Sequence, residues 1–394
     1  MRNFAPDCKH NNTTDMSNSK ILCAACAMLL ATAVAKAQNG DVTQRELRVG
    51  FVLPLHQNNG DGLRMTEYYR GWLLALDSLK QHGYSADIWA WNIPEEGDPK
   101  TAFDDPAAAR LDLIVGPIYT SQVGRVARFA EEHNIKVVLP FSIFAPQMKT
   151  VTQLYQVYQP GDSLTADFVA DYVKRFHDCH TVIIDCNDAN SQKGAFTSAL
   201  RTALEQQHMT CRVTNLKSQE ETFMKAFEKG KHNMVVLNSG RAQELNMAML
   251  KLNNLVANLP ETRISLYGYT DWLMYLRQHR QNFSHYDTYI PSTFHTQLSE
   301  TRTSALVKKY RDTFGTDMQQ ALPRFALTGF DHAMFFLQGL HRYGTAFTGS
   351  RWQQPSLPLQ SPLRFEPTPK GGRYNKQKLL LHYTMNGDVE EIKL

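Results

Sequence analysis

From Leu47 to about Gly344 the chain repeats one pattern: a short apolar run, a turn rich in Gly, Pro, Asn or Ser, then apolar residues spaced three and four apart. The first run, LRVGFVLPL at 47–55, shows no polar alternation, as expected of a strand covered on both faces. After a turn-rich stretch at His56–Gly62, apolar residues at 65, 69, 72, 73, 76 and 79 make one face of a helix from Met65 to Lys80. Gly83 closes it at a position that tolerates a left-handed backbone. The same reading predicts strands over 86–91, 111–115 and 136–140, with helices between them.

A second series then begins. Helices are predicted over 163–177, 194–207, 220–229 and 243–257, and strands over 181–185, 210–216, 233–238 and 264–267. The stretch 287–295, DTYIPSTFH, is extended and broken by proline, which suits a hinge. Helices over 300–314 and 324–342 follow, and Gly344–Pro362 reads as a surface loop. The end differs in kind, because 379–386 and 388–394 alternate around Asn386-Gly387, a strong hairpin signal. Apolar strands alternating with helices predict α/β architecture, two Rossmann-like α/β/α lobes with right-handed connections.

The region ahead of this rhythm changes the picture. Lys20 precedes Ile21–Ala35, which carries no charge, and Ala35-Lys36-Ala37 is a small-x-small cleavage pattern. That run is shorter than the roughly 20 residues a membrane-spanning helix needs, so residues 1–37 read as an export signal, with Met16 an alternative start. Export places the protein in the periplasm or cell envelope, away from ATP and nicotinamide pools. Of the 42 Lys and Arg and 38 Asp and Glu, four and two fall in this signal, leaving 38 against 36. So even a balance gives no basic patch, and nucleic acid is not a partner this composition suggests. Cys179, Cys186 and Cys211 remain after the signal is removed. They allow a Cys179–Cys211 disulfide with one thiol left over, or three buried thiols.

Catalytic and cofactor motifs are sparse. Gly60-Asp61-Gly62 lacks the third glycine of a dinucleotide fingerprint, and neither Gly-x-Ser-x-Gly nor His-Glu-x-x-His occurs. His177, Asp178, Cys179 and His180 straddle a predicted helix end and strand start, so their side chains should diverge rather than hold a metal. No cofactor is implied, and no nucleophile–base pair stands out for an exported hydrolase. What recurs is polar, small or aromatic chemistry just past the strand ends, where open α/β sheets bind ligands. The positions are Pro54 and His56; Pro117, Thr120 and Ser121; Phe141 and Ser142; Asn187, Asp188 and Asn190; Asn238 and Ser239; Tyr269, Thr270 and Asp271. Turn chemistry alone also favours such residues, so the positions carry weight together rather than singly.

Several segments in order carry a family resemblance: VGFVLPL, LIVGPIYTSQVGRVARFAEEHNIKVVLPFS, VIIDCNDANSQKGAFTSALRTALEQ, MVVLNSG, YGYTDW, VKKYRDTFG and LTGFDHAMFFLQGL. Over about 47–342 the chain resembles the type I periplasmic binding family, in particular the receptors for branched-chain amino acids. The resemblance implies two lobes crossed three times by the chain, near Tyr158–Pro160, near Pro291–His295 and within Gly344–Pro362. One lobe would hold about 46–158 and 294–345, the other 159–293 and 362–394 with the hairpin. It implies that Thr120 and Ser121, after Gly116, hold a ligand carboxylate, and that Ser142 and Asp271 hold an ammonium group. Phe144 stands where the family has a hydroxyl, a departure from the amino-acid pattern. From the strand-end positions, Asp188 and Asn238 complete the expected ligand-binding set. The function implied is a solute receptor closing over a small polar ligand, an amino acid or short peptide, for an ABC-type membrane permease. An envelope protein on the same scaffold, regulating a cell-wall synthase through protein contacts, is the alternative.

Overall fold

The computed structural model describes residues 46–56 and 58–394, so the expected export signal lies outside the described residues. The first half-unit runs β1 (Leu47–Leu53), α1 (Gly60–Lys80), β2 (Ala86–Asn92), α2 (Lys100–Phe103), β3 (Leu113–Val115), α3 (Thr120–His133), β4 (Lys136–Leu139) and β5 (Leu154–Gln156). The second runs α4 (Gly161–Arg175), β6 (His180–Asp185), α5 (Gly194–Gln206), β7 (Cys211–Asn215), α6 (Glu220–Met224) and β8 (His232–Leu237). It continues with α7 (Ala242–Asn258), β9 (Arg263–Tyr267), α8 (Leu276–His285) and β10 (Thr288–Ser292). The last part holds α9 (Thr301–Phe314), α10 (Phe325–Tyr343), β11 (Phe365–Pro367), β12 (Arg373–Asn375), β13 (Leu379–Tyr383) and β14 (Val389–Lys393).

These strands form two seven-stranded sheets, β11-β12-β5-β4-β3-β1-β2 and β14-β13-β10-β9-β8-β6-β7. In each, five parallel strands follow one doubly wound order, with the first strand between the second and third. Each sheet has its own core. Val49, Phe51 and Leu53 of β1 face Trp72 and Tyr68 of α1 and Phe336 of α10, while Val52 points to the opposite face with Val126 and Ala130 of α3. The second sheet packs Ile184, Val236 and Leu266 with Tyr172, Leu200 and Leu252 in a separate cluster. Helices α1 and α10 meet backbone to backbone. A Cβ on Gly71 would stand 2.1 Å from the Ala326 carbonyl oxygen, and one on Gly329 would stand 2.0 Å from that of Tyr68.

Several boundaries differ from the sequence expectation for physical reasons. Helix α1 starts at Gly60, five residues early, because Asn59 caps it by accepting the Gly62 N–H at 2.9 Å. Two glycines in the first turn hide that start from a propensity reading. Helix α6 is one short turn, α8 (LRQHRQNFSH) has too few apolar residues to mark a helical face, and the three-residue β5, β11 and β12 had no pattern long enough to read. The hairpin forms as expected, with Leu379 opposite Lys393 and Tyr383 opposite Val389, and Gly387 in the left-handed region at φ 89°. Cys179, Cys186 and Cys211 are all free thiols, so the expected Cys179–Cys211 disulfide is absent. Cys211 pairs with Thr181, and a two-residue offset across neighbouring strands separates Cα atoms by about 8 Å, beyond disulfide reach. The HDCH run splits as its position predicts: His180 is buried against the Ala226 carbonyl at 2.9 Å, and His177 stays exposed.

The chain passes between the sheets at 157–160, 293–300 and 376–378. The third passage therefore does not lie within Gly344–Pro362. That loop stays with the first sheet, since Asp331 on α10 accepts the N–H groups of Leu359, Gln360 and Ser361 at 2.7, 2.8 and 2.8 Å. Residues 365–375 then add β12 beside β5 and β11 beside β12, rather than joining the terminal hairpin. Contacts knit the passages together. Lys376 Nζ donates to Gln159 Oε1 at 2.8 Å, the His295 N–H donates to the Gln360 carbonyl at 3.0 Å, and His295 Nδ1 pairs with Glu391 at 2.7 Å. A cavity of about 650 Å³ lies among them, lined by His295, Arg302, Asp331, Gln360, Gln377 and Glu391. Among the described residues no helix is long and apolar enough to cross a membrane.

Topology fixes which edges face each other. The first passage leaves the carboxyl end of β5 and enters α4, which precedes the parallel β6 and so starts at the carboxyl edge of that sheet. The second leaves the carboxyl end of β10, and its His295 is tied to Gln360, which holds the start of α10, where Phe325 packs on Phe141 just past the carboxyl end of β4. The third leaves β12, parallel to β5, and enters β13, whose first residue Leu379 pairs with Ser292 at the carboxyl end of β10. All three passages thus join carboxyl edge to carboxyl edge. The shortest spans at most about 14 Å, so the two edges are held close together.

Candidate functional site

In a doubly wound sheet, ligands sit beyond the carboxyl ends where the strand order reverses. In the first sheet that place lies past β1 and β3. The β1 loop is held by Asn92, whose Oδ1 accepts the Leu55 N–H at 2.8 Å. The β3 loop leads through Gly116 and Pro117 into α3, whose first residue is Thr120. Thr120 is exposed, and its hydroxyl donates to the Phe144 carbonyl at 3.1 Å. Ser121 is exposed beside it. Ser142 is buried, and its hydroxyl donates to the Ile118 carbonyl at 3.0 Å. Thr120, Ser142 and Phe144 thus lie together, and both hydroxyls fasten the β3 and β4 loops to one another. Phe144 and its neighbour Ile143 point outward, 60% and 61% exposed, and give this edge an apolar rim.

Other groups stiffen the same edge. Gln122 on α3 is buried, and its Nε2 donates to the carbonyls of Pro94, Glu95 and Gly97 at 2.7, 3.3 and 3.0 Å. The Tyr119 hydroxyl donates to Asp61 at 3.3 Å, and burial, aided by Asp61, pushes that phenol up to about 12.

In the second sheet the reversal falls between β6 and β8. Asn238, just past β8, spans it: Oδ1 accepts the Cys186 N–H at 2.7 Å and Nδ2 donates to Asp185 at 2.9 Å. Asp188 follows β6 with its side chain only 2% exposed. It accepts the Ser239 hydroxyl at 2.8 Å and the Asn190 N–H at 3.2 Å, and pairs with Arg241 at 3.3 Å. The Ser239 hydrogen bond foremost, with the Asn190 N–H and the Arg241 charge, holds the Asp188 carboxyl below the usual range. Asp271, past β9, pairs with Lys193 at 2.7 Å, and Lys193 Nζ lies 5.0 Å from the Tyr269 ring centroid. Burial pushes the Cys186 thiol up to about 12, so it stays protonated at neutral pH.

Asp188, Asn238 and Asp271 thus gather around the 238–240 loop. Among the described residues, no hydrogen bond or ion pair joins them to the group around Thr120. Lys193 and Arg241 are the residues that sequence reasoning missed. Each sits at the threshold of a helix, α5 or α7, immediately after a strand-end loop already marked as polar. That placement is the signal that could have found them.

No family model and no curated protein matches the sequence. Solved structures do match. A chain from Rhodospirillum rubrum assigned to branched-chain amino acid ABC transport is 15% identical, with a TM-score of 0.57, 88% of this chain and 100% of that chain covered. A periplasmic ligand-binding protein of a branched-chain amino acid ABC transporter from Burkholderia xenovorans is 13% identical with a TM-score of 0.50, covering 88% and 94%. An ABC transporter substrate-binding protein from Sphaerobacter thermophilus is 13% identical with a TM-score of 0.50, covering 89% and 97%. At these identities the likeness is one of fold: the chain has the two-lobe type I periplasmic binding fold.

Proposed function

We propose that this protein is an exported solute receptor whose lobes close over a small polar ligand and present it to an ABC-type permease in the envelope. The observation that carries the reading is the pair of doubly wound sheets joined carboxyl edge to carboxyl edge by three short passages. Such a linkage allows hinge closure about a site between the edges. One edge offers Thr120, Ser121 and an apolar rim, and the other offers Asp188, Asn238, Lys193, Arg241 and Asp271. A few polar groups beside apolar surface suit a small organic ligand. The family resemblance points to an amino acid or short peptide. Fold alone does not select the ligand, so the reading depends on these edges.

Thermal denaturation with amino acids, short peptides, their N-blocked and des-amino counterparts, and cell-wall fragments tests it. A true ligand at 100 times its dissociation constant adds about 2.7 kcal/mol of stability. Thr120→Ala removes the hydroxyl that anchors the Phe144 carbonyl and should weaken binding about fivefold, the worth of one hydrogen bond. A panel that leaves the midpoint unmoved, with a membrane protein co-purifying, would replace this reading by a regulatory one.

A further inference from the structure

The Lys193–Asp271 pair bears on what the receptor accepts. An acidic side chain beside an aromatic face is the chemistry that holds an ammonium group. Here that seat is filled from within. Lys193, at the start of α5, places its ammonium 2.7 Å from Asp271 Oδ2 and 5.0 Å from the Tyr269 ring centroid. Gly240 makes the room: a Cβ there would stand 3.0 Å from Lys193 Cε and 3.4 Å from Asp271 Cγ. Three separate elements, the α5 start, the β8–α7 loop and the end of β9, thus converge on one internal ammonium. Of the other acids at this edge, Asp188 is matched by Arg241 and Ser239, and Asp185 is held by Asn238 Nδ2 and the Asn187 N–H. At the edge of the first sheet, Ile143 and Phe144 expose hydrocarbon.

We propose that Lys193 sets ligand selectivity: the cleft takes carboxylic acids with an apolar body and no free ammonium, the des-amino or N-acylated counterparts of amino acids. The inference rests on the receptor reading and narrows its ligand. A ligand ammonium arriving between Asp271 and Asp188 meets two acids already paired with cations and a lysine of like charge, which is repulsive. A ligand carboxylate instead finds unused donors, since an ammonium carries three and a guanidinium five. The apolar body is left to rest on Ile143 and Phe144.

Calorimetric titration of the mature protein with matched pairs tests this: 4-methylpentanoate and N-acetyl-leucine against leucine, and 3-phenylpropanoate against phenylalanine. The wild type should bind the acid about tenfold or more tightly than its amino counterpart in at least one pair. Lys193→Met keeps the unbranched stem as far as Cε but removes the ammonium, frees Asp271 and should reverse the order within that pair, with an unchanged melting midpoint as the control for folding. An amino acid that binds the wild type as tightly as its des-amino partner overturns the inference and leaves the receptor reading standing. So does a preference that Lys193→Met leaves untouched. If no member of any pair binds either protein, the inference falls, while the receptor reading is decided by the broader denaturation panel.

Discussion

Asp331→Asn tests how the first lobe holds its part of the hinge. Asp331 is buried on α10 and accepts three backbone N–H groups from 359–361. Gln360 of that loop in turn accepts the His295 N–H on the second passage. Burial raises the Asp331 carboxyl from 3.8 to about 6, against the lowering effect of the three N–H donors and of Arg302. At about 1.4 kcal/mol per unit, a folded value of about 6 against an unfolded 3.8 corresponds to roughly 3 kcal/mol. The folded state holds the proton more tightly, so this stability is fully present below pH 3.8 and is lost as pH rises through about 6. Between pH 8 and pH 5 the wild type should gain about 1.4 kcal/mol from this group. Asparagine has no such proton, and its amide turns a donor toward at least one of the loop N–H groups. The deficit of Asp331→Asn in urea unfolding should therefore be about 1.4 kcal/mol larger at pH 5 than at pH 8. Other titrating groups, including buried Glu67, cancel in that difference. An equal deficit at both pH values, or a smaller one at pH 5, would show that the N–H donors outweigh burial and refute the reasoning.

Two further substitutions probe the first core. Tyr68→Phe removes the hydroxyl 2.9 Å from His332 Nδ1, and because His332 Nε2 is already buried without a partner, the loss should cost about 1–3 kcal/mol in urea unfolding. Burial holds His332 neutral, down to about 3, so that cost should be the same at pH 7 and pH 8. Gly329→Ala drives a methyl into the Tyr68 carbonyl and should cost about 1–3 kcal/mol by forcing α1 and α10 apart; a midpoint within error of wild type would contradict the close approach.

The long strands and amphipathic helices were legible because each presents several residues of one period. Strand β1 and helix α5 lie almost where the apolar spacing puts them. Strands β5, β11 and β12 were not, since three residues hold no period, and missing β12 misplaced the third passage. Strand-end loops were legible, because a parallel strand must end where its loop begins. The apolar spacing could not say how those loops use their side chains. Thr120 and Ser142 fasten backbone, and Asp271 carries an internal cation, facts set by tertiary placement of Phe144, Ile118 and Lys193. Lys193 and Arg241 escaped notice because a lone cation at a helix start reads as solvated surface until its partner's position is known.

The proposed function turns on closure of two lobes about a ligand. Small-angle X-ray scattering of the mature protein, with and without whichever compound raises its melting midpoint most, measures that directly. The prediction is a smaller radius of gyration and a shorter maximum dimension when the compound is bound. An unchanged profile with a bound ligand, or a panel in which no compound shifts either the midpoint or the scattering, would contradict it.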